Sequence, residues 1–217
     1  MQTRPRSLRF ERFIQSFRQS VPALLAVVLG CTLCFRGLLN ADPSQTLWAD
    51  QYDARLLYWI FMWGYHVLVE IANPLEFWNA NSFYPHSGSL AFSDGLLGAQ
   101  LFFIPFRLIG FAPLSALYLS LTGIATLGGL ASNRGLLKLG FHSDRERFII
   151  IFGAHFALST LNFFQHYQMW GVHIAIAALI YVLLWLRDGE PSELVRAVAL
   201  FFFANSIALY CAPMLLS

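Results

Sequence analysis

Residues Phe111 to Ser132 read FAPLSALYLSLTGIATLGGLAS, a stretch without a single charged side chain. A helix that crosses a bilayer needs about 20 mostly apolar residues, with a lower limit of roughly 17, and this stretch is long enough. Its Gly128-Gly129 pair suits the close helix contacts on which membrane bundles depend. Working outward, further apolar segments run from Val21 to about Leu39, from Phe148 to Phe164, from Met169 to Leu186, and from about Leu194 onward. Two shorter runs, Leu56 to Val69 and Leu96 to Ile109, have roughly 14 residues each and suit interfacial or re-entrant helices better than full spans.

Composition agrees with lipid as the main solvent. Hydrophobic residues make up 57% of the 217-residue chain and charged residues only 12%, against about 25% charged in an ordinary soluble domain. The expected fold is therefore an all-α polytopic membrane protein with about five transmembrane helices. A basic amphipathic segment at 1–20, with Arg4, Arg6, Arg9, Arg12 and Arg18 among Phe10, Phe13, Ile14 and Phe17, is expected to lie on an anionic membrane surface. The apolar run that follows has no small-residue cleavage site and reads as an uncleaved signal anchor. Cys31-x-x-Cys34 has a spacing met in metal and redox sites, but no His or carboxylate stands beside it. The pair, like Cys211, reads as small apolar residues in helices.

Charge sorting orients the chain. If the two short runs do not cross, the N-terminus, the loop near Arg134 to Arg147 and the loop from Arg187 to Arg196 share one side. That side then holds eleven of the fourteen Lys and Arg residues, which the positive-inside rule places in the cytoplasm. The expected location is the cell membrane, with a cytoplasmic N-terminus and a transmembrane domain over 21–217. Two local signals mark helix starts: the capping box Ser143-Asp144-Arg145-Glu146 and the Pro191-Ser192-Glu193 opening of the last segment.

One long first outer loop remains, about 40–110, with six acidic residues against two arginines. In TLWADQYDARLLYW, Thr46 to Trp59, Asp50 and Asp53 stand three apart before an aromatic amphipathic run, so a helix beginning there puts both carboxylates on one face. Such a pair could serve as general base, sugar-hydroxyl anchor or divalent-cation ligand, or simply as helix capping. Further on, Phe77 to Asp94 reads FWNANSFYPHSGSLAFSD. Pro85 and Gly88 shape its turn, Ser93-Asp94 can cap a helix starting at Gly95, and Tyr84, His86 and Asp94 gather near the interface.

A third constellation, LSTLNFFQHYQMWGVH from Leu158 to His173, carries Gln165, His166 and Gln168 at or just above membrane depth. These either line a wet cavity or form a polar turn reaching water. His155 and His173 lie deeper and read as interhelical hydrogen-bond partners. The chain has no H-x-x-x-H zinc pair, phosphate-binding glycine loop, nucleophile elbow or nucleic-acid surface.

Taken together, ADQYDARL, FYPHSGSLAFSD with the apolar run containing Pro105, and the QHYQ turn resemble the polytopic GT-C glycosyltransferase superfamily, over roughly residues 20 to 190. The likeness is to its bacterial inner-membrane members that use polyprenyl-phosphate sugars. It implies a sugar moved from a polyprenyl-phosphate donor to a glycan, lipid or protein acceptor on the extracytoplasmic face, by inversion, with Asp53 or Asp50 as catalytic base. Arg55, Arg107 and His86 are then the positive groups for the leaving phosphate, with Tyr84, Asp94, His166 and Gln168 as further substrate contacts. A divalent cation is compatible with this chemistry, though no ligand set is evident. Members of the superfamily usually have more spans, and the sequence ends at Ser217 within its fifth apolar segment. A complete enzyme, a fragment of a longer reading frame and a divergent remnant are the alternatives. Against all of these stands a non-catalytic membrane protein, a transporter subunit or an assembly partner.

Overall fold

The computed structural model describes residues 6–48, 53–80, 87–92, 95–157 and 166–208, and these are helices and connecting turns without a strand. Among the described residues seven α-helices follow in order: α1 (Arg6–Cys34), α2 (Asp53–Tyr65), α3 (Leu97–Leu108), α4 (Pro113–Leu139), α5 (Asp144–His155), α6 (Val172–Asp188) and α7 (Pro191–Ile207). Short 3-10 turns at Arg36–Asn40, Pro74–Glu76, Ser89–Phe92 and Tyr167–Gly171 and a π turn at His66–Glu70 join them.

Among the described residues three helices are long and apolar enough to cross a membrane: Phe13–Cys34, Pro113–Leu139, and Tyr167–Asp188 counted with its leading 3-10 turn. Three of the expected five or so spans are thus present among the described residues. The segment expected to span from Phe148 to Phe164 is helical only as far as His155, and residues 158–164 lie outside the described ones. Twelve residues at 1.5 Å each give α5 about 18 Å, short of a hydrocarbon core of about 30 Å. α7 has 17 residues, at the lower limit for a full span. The basic amphipathic segment is not a separate surface helix; from Arg6 it is continuous with the first span through Pro22. The two short runs form α2, continued by the π turn at His66–Glu70, and the 12-residue α3, neither of which is both long and apolar enough to cross.

Helix ends follow local chemistry. Ser143 caps α5 by accepting from the Glu146 N–H, as its capping box implies. Pro191 occupies the first turn of α7, where its missing N–H costs nothing. α4 runs on past Ser132 until Gly140, whose φ of 100° closes the helix with Gly140 N–H to Leu137 O and Phe141 N–H to Leu136 O. α3 begins at Leu97 rather than Gly95. Its N-cap is Leu96 in the left-handed region at φ 51°, and the Ser93-Asp94 pair expected to cap it lies outside the described residues.

α4 is the hub of the bundle, packed by α1, α3, α5 and α6. Gln19 meets Asn133 and Ala23 and Val27 meet Gly129, so α1 and α4 are antiparallel. Gly128 abuts His173 and Gly135 abuts Ile180, so α6 runs parallel to α4. The arginine-rich connections consequently gather at one end of the bundle. There Arg147, only 2% exposed, donates from Nε to Asn133 Oδ1 at 2.9 Å and from Nη1 to the carbonyls of Phe141 and His142, and pairs with Asp144. Lys138 binds Glu193 at 2.5 Å, and Arg187 donates to Lys138 O at 3.0 Å. The main apolar core, including Phe61, Phe103, Leu121 and Ile174, binds α2 and α3 to the spans near the other end.

Candidate functional site

At the end opposite the basic loops, aromatic side chains fix two remote segments side by side. After α1, Phe35 stacks on Trp170 with ring centroids 5.3 Å apart and meets Tyr118 edge-on. The Tyr118 hydroxyl accepts from the Trp48 backbone N–H at 2.8 Å and donates to Thr46 O at 2.7 Å. Trp48 also donates from its indole to Cys34 O at 3.2 Å, and its ring covers Gly37 so closely that a Cβ there would lie 2.2 Å from it. The segment leading toward Asp53 is thus tied to α1 and α4. The turn at Tyr167–Gly171 is held by burial of Tyr167 and Trp170 in the same core.

The result is a contact that sequence separation hid: Asp53 Oδ2 lies 3.2 Å from His166 Nδ1. Asp53 occupies the first turn of α2, where the helix dipole favours a carboxylate, and it is 57% exposed against 28% for His166. A proton on Nδ1 is donated to the carboxylate, and that tautomer puts the ring lone pair on Nε2. Beside it, Gln168 is half-buried with its Oε1 buried and unpaired among the described residues.

The other expected site residues are distributed differently. Arg107 is half-buried, with Nη1 donating to Phe111 O at 2.5 Å and its guanidinium 5.2 Å from the centre of the Tyr65 ring. Its Nε is buried without a partner among the described residues. Burial raises the Tyr58 phenol above its usual pKa while the Arg107 charge opposes it, so Arg107 faces α2. Arg55 is exposed on α2, and among the described residues neither arginine forms an ion pair with Asp53. Asp50, Tyr84, His86 and Asp94 lie outside the described residues. The flanks of their loop are ordered by hydrogen bonds: Trp63 Nε1 donates to Phe77 O at 2.9 Å, Gly88 N–H to Asn79 Oδ1 at 2.8 Å, and Ser89 to Ala80 O at 2.7 Å.

Sequence reading missed Tyr118 and Trp48, whose hydrogen bonds bring the acidic segment to the bundle. Their only signal was an amphipathic aromatic at the start of a span. His155 and His173 do meet as read: their Nδ1 atoms lie 3.1 Å apart, and Ser132 Oγ is 2.9 Å from His155 Nε2. Cys31 and Cys34 are buried free thiols. Among the described residues no group of three or more His, Cys, Asp and Glu is placed to hold a metal ion. No family model, curated protein or solved structure matches the chain.

Proposed function

We propose that this chain is a multi-pass membrane glycosyltransferase that uses Asp53 and His166 as its acid–base pair on the extracytoplasmic side. The observation that carries the reading is the 3.2 Å contact between them, because Asp53 and His166 come from the two segments in which the resemblance puts the catalytic base and a substrate contact. In the proposed reaction, the acceptor hydroxyl oxygen bonds to the anomeric carbon from the face opposite the phosphate. The bond from that carbon to the phosphate oxygen breaks with its electron pair, releasing polyprenyl phosphate. The hydroxyl proton passes to the Asp53–His166 pair, which holds it in a site shared by a carboxylate and an imidazole. The aromatic run from Leu57 to Tyr65 supplies the surface for the lipid tail, and Arg107, its guanidinium 5.2 Å from the centre of the Tyr65 ring, a positive charge beside that run.

Asp53→Asn and His166→Gln, each purified and reconstituted with a polyprenyl-phosphate sugar, are expected to lower transfer by roughly 10²–10⁴-fold. The double variant is expected to be no slower than the worse single one, since the two act as a unit. Undiminished transfer by Asp53→Asn would overturn the reading. The exposure of Asp53 favours a second reading, in which the carboxylate only starts α2 and the chain is a non-catalytic partner of other membrane proteins. On that reading Asp53→Asn lowers stability slightly and no transfer is detected from the unsubstituted chain.

A further inference from the structure

A cavity of about 520 Å³ opens between α1, α4, α6 and α7, toward the arginine-rich end and away from Asp53. Three helices turn a regular face into it. Ser16, Gln19 and Ser20 come from α1; Leu127, Leu130, Ala131 and Arg134 from α4; and Arg196, Ala199 and Leu200 from α7, all at spacings of three and four residues. Helical geometry stacks the lining by depth. Arg134 and Arg196 lie toward the basic end, and Leu127 lies about 10 Å further along α4 at 1.5 Å per residue. The groove therefore changes from cationic to apolar along the direction in which a lipid changes from headgroup to chain.

Charge at the mouth has a definite sign. Among the described residues Arg134 has no carboxylate within 4 Å, while Arg196 shares Glu193 with Lys138. Arg134 and Arg196 are thus the charged residues of the lining, which includes no carboxylate, and Glu193 beside it is itself turned to Lys138 and Arg196. A volume of this size lies within the roughly 300–1,000 Å³ usual for small-ligand sites, and basic pockets between spans at the cytoplasmic leaflet suit acidic headgroups.

We propose that this groove is a binding site for one anionic phospholipid of the surrounding leaflet, its phosphate at Arg134 and Arg196 and an acyl chain along Leu127, Leu130 and Leu200. The site is separate from the Asp53–His166 contact and does not depend on the function proposed there. It gives the basic residues at this end a local task beyond orienting the chain.

The full chain, stripped of lipid in detergent, would be titrated with phosphatidylglycerol, phosphatidylcholine or inorganic phosphate. Thermal unfolding and native mass spectrometry of retained lipid would be the readouts. Phosphatidylglycerol alone is expected to remain bound and raise the unfolding midpoint. Arg134→Gln with Arg196→Gln is expected to weaken phosphatidylglycerol binding roughly thirtyfold. Ala199→Phe, which fills the groove and leaves every charge in place, is expected to abolish it. Arg187→Gln, at the same end and paired with Asp188 outside the groove, is expected to bind as the unsubstituted chain does. Equal binding of the two lipids by the unsubstituted chain would overturn the proposal. So would an effect matched by inorganic phosphate, or phosphatidylglycerol retained by Ala199→Phe.

Discussion

Arg147 shows how one side chain joins three helices. It is buried, and its charge partner Asp144 is 74% exposed, so the ion pair itself contributes little. The larger stake is the set of acceptors: Asn133 Oδ1 and the carbonyls of Phe141 and His142 all take their donor from this guanidinium, while Asn133 donates to Gln19 O at 2.8 Å. Arg147→Met is expected to cost about 3 kcal/mol, because the buried Asn133 oxygen and the two part-buried carbonyls lose their donor, read as a lowered unfolding midpoint in detergent. Arg147→Lys should recover less than half of that, since an ammonium cannot reproduce the planar fork. Glu193 makes a pH-dependent contribution. Hydrogen bonds from Arg196 and Lys138 hold its carboxyl below the ordinary 4.5, so the stability it adds is present above 4.5 and is lost as pH falls through the lowered folded value. The gap in unfolding midpoint between the unsubstituted chain and Glu193→Gln should therefore be open at neutral pH and close well below pH 4.5.

Among the elements, the α4–α6 contact is set by what its glycines lack. A Cβ on Gly128 would lie 2.4 Å from the His173 carbonyl oxygen, which is backbone and cannot swing aside. Gly128→Ala is expected to push the helices apart at a cost of about 1–3 kcal/mol, more than the helix-propensity gain of about 0.5–1 kcal/mol that alanine brings. At Gly153, on α5, a Cβ would meet nothing within 4 Å. Gly153→Ala should therefore show only the gain, a higher unfolding midpoint. The same close approach lets His173 reach His155, and through it Ser132, across three helices.

For the whole molecule, the bundle has two chemically distinct ends. Basic connections and the groove of Arg134 and Arg196 occupy one, and Trp48, Tyr118, Asp53 and His166 the other. The positive-inside rule predicts that the basic end faces the cytoplasm. Gln45→Cys and Ser192→Cys, both at exposed positions, should label oppositely with a membrane-impermeant thiol reagent. The first is expected to react on intact spheroplasts and the second only after permeabilisation, with the unsubstituted chain as blank. Labelling of Ser192→Cys on intact cells would invert the orientation.

The amino-acid sequence alone determined the helical class, the sorting of charge to one end, the capped start of α5 and the helix-packing role of Gly128-Gly129. These depend on local composition and on periodicities of three to four residues, which a linear reading detects. Helix length was less legible. Hydropathy carried the expected span of Phe148 to Phe164 past His155, because apolar composition continues at Phe156 and Ala157, where the helix has already ended. Likewise the arginines joined to the first span looked like a surface helix, because periodicity carries no information on whether a helix continues through Pro22. Only the tertiary structure decided that Asp53 meets His166 and that Arg134 and Arg196 flank one groove. Those pairs are remote in sequence, and what joins them is packing: Tyr118 and Trp170 around Phe35 at one end, and the spacing of α1 and α7 about α4 at the other.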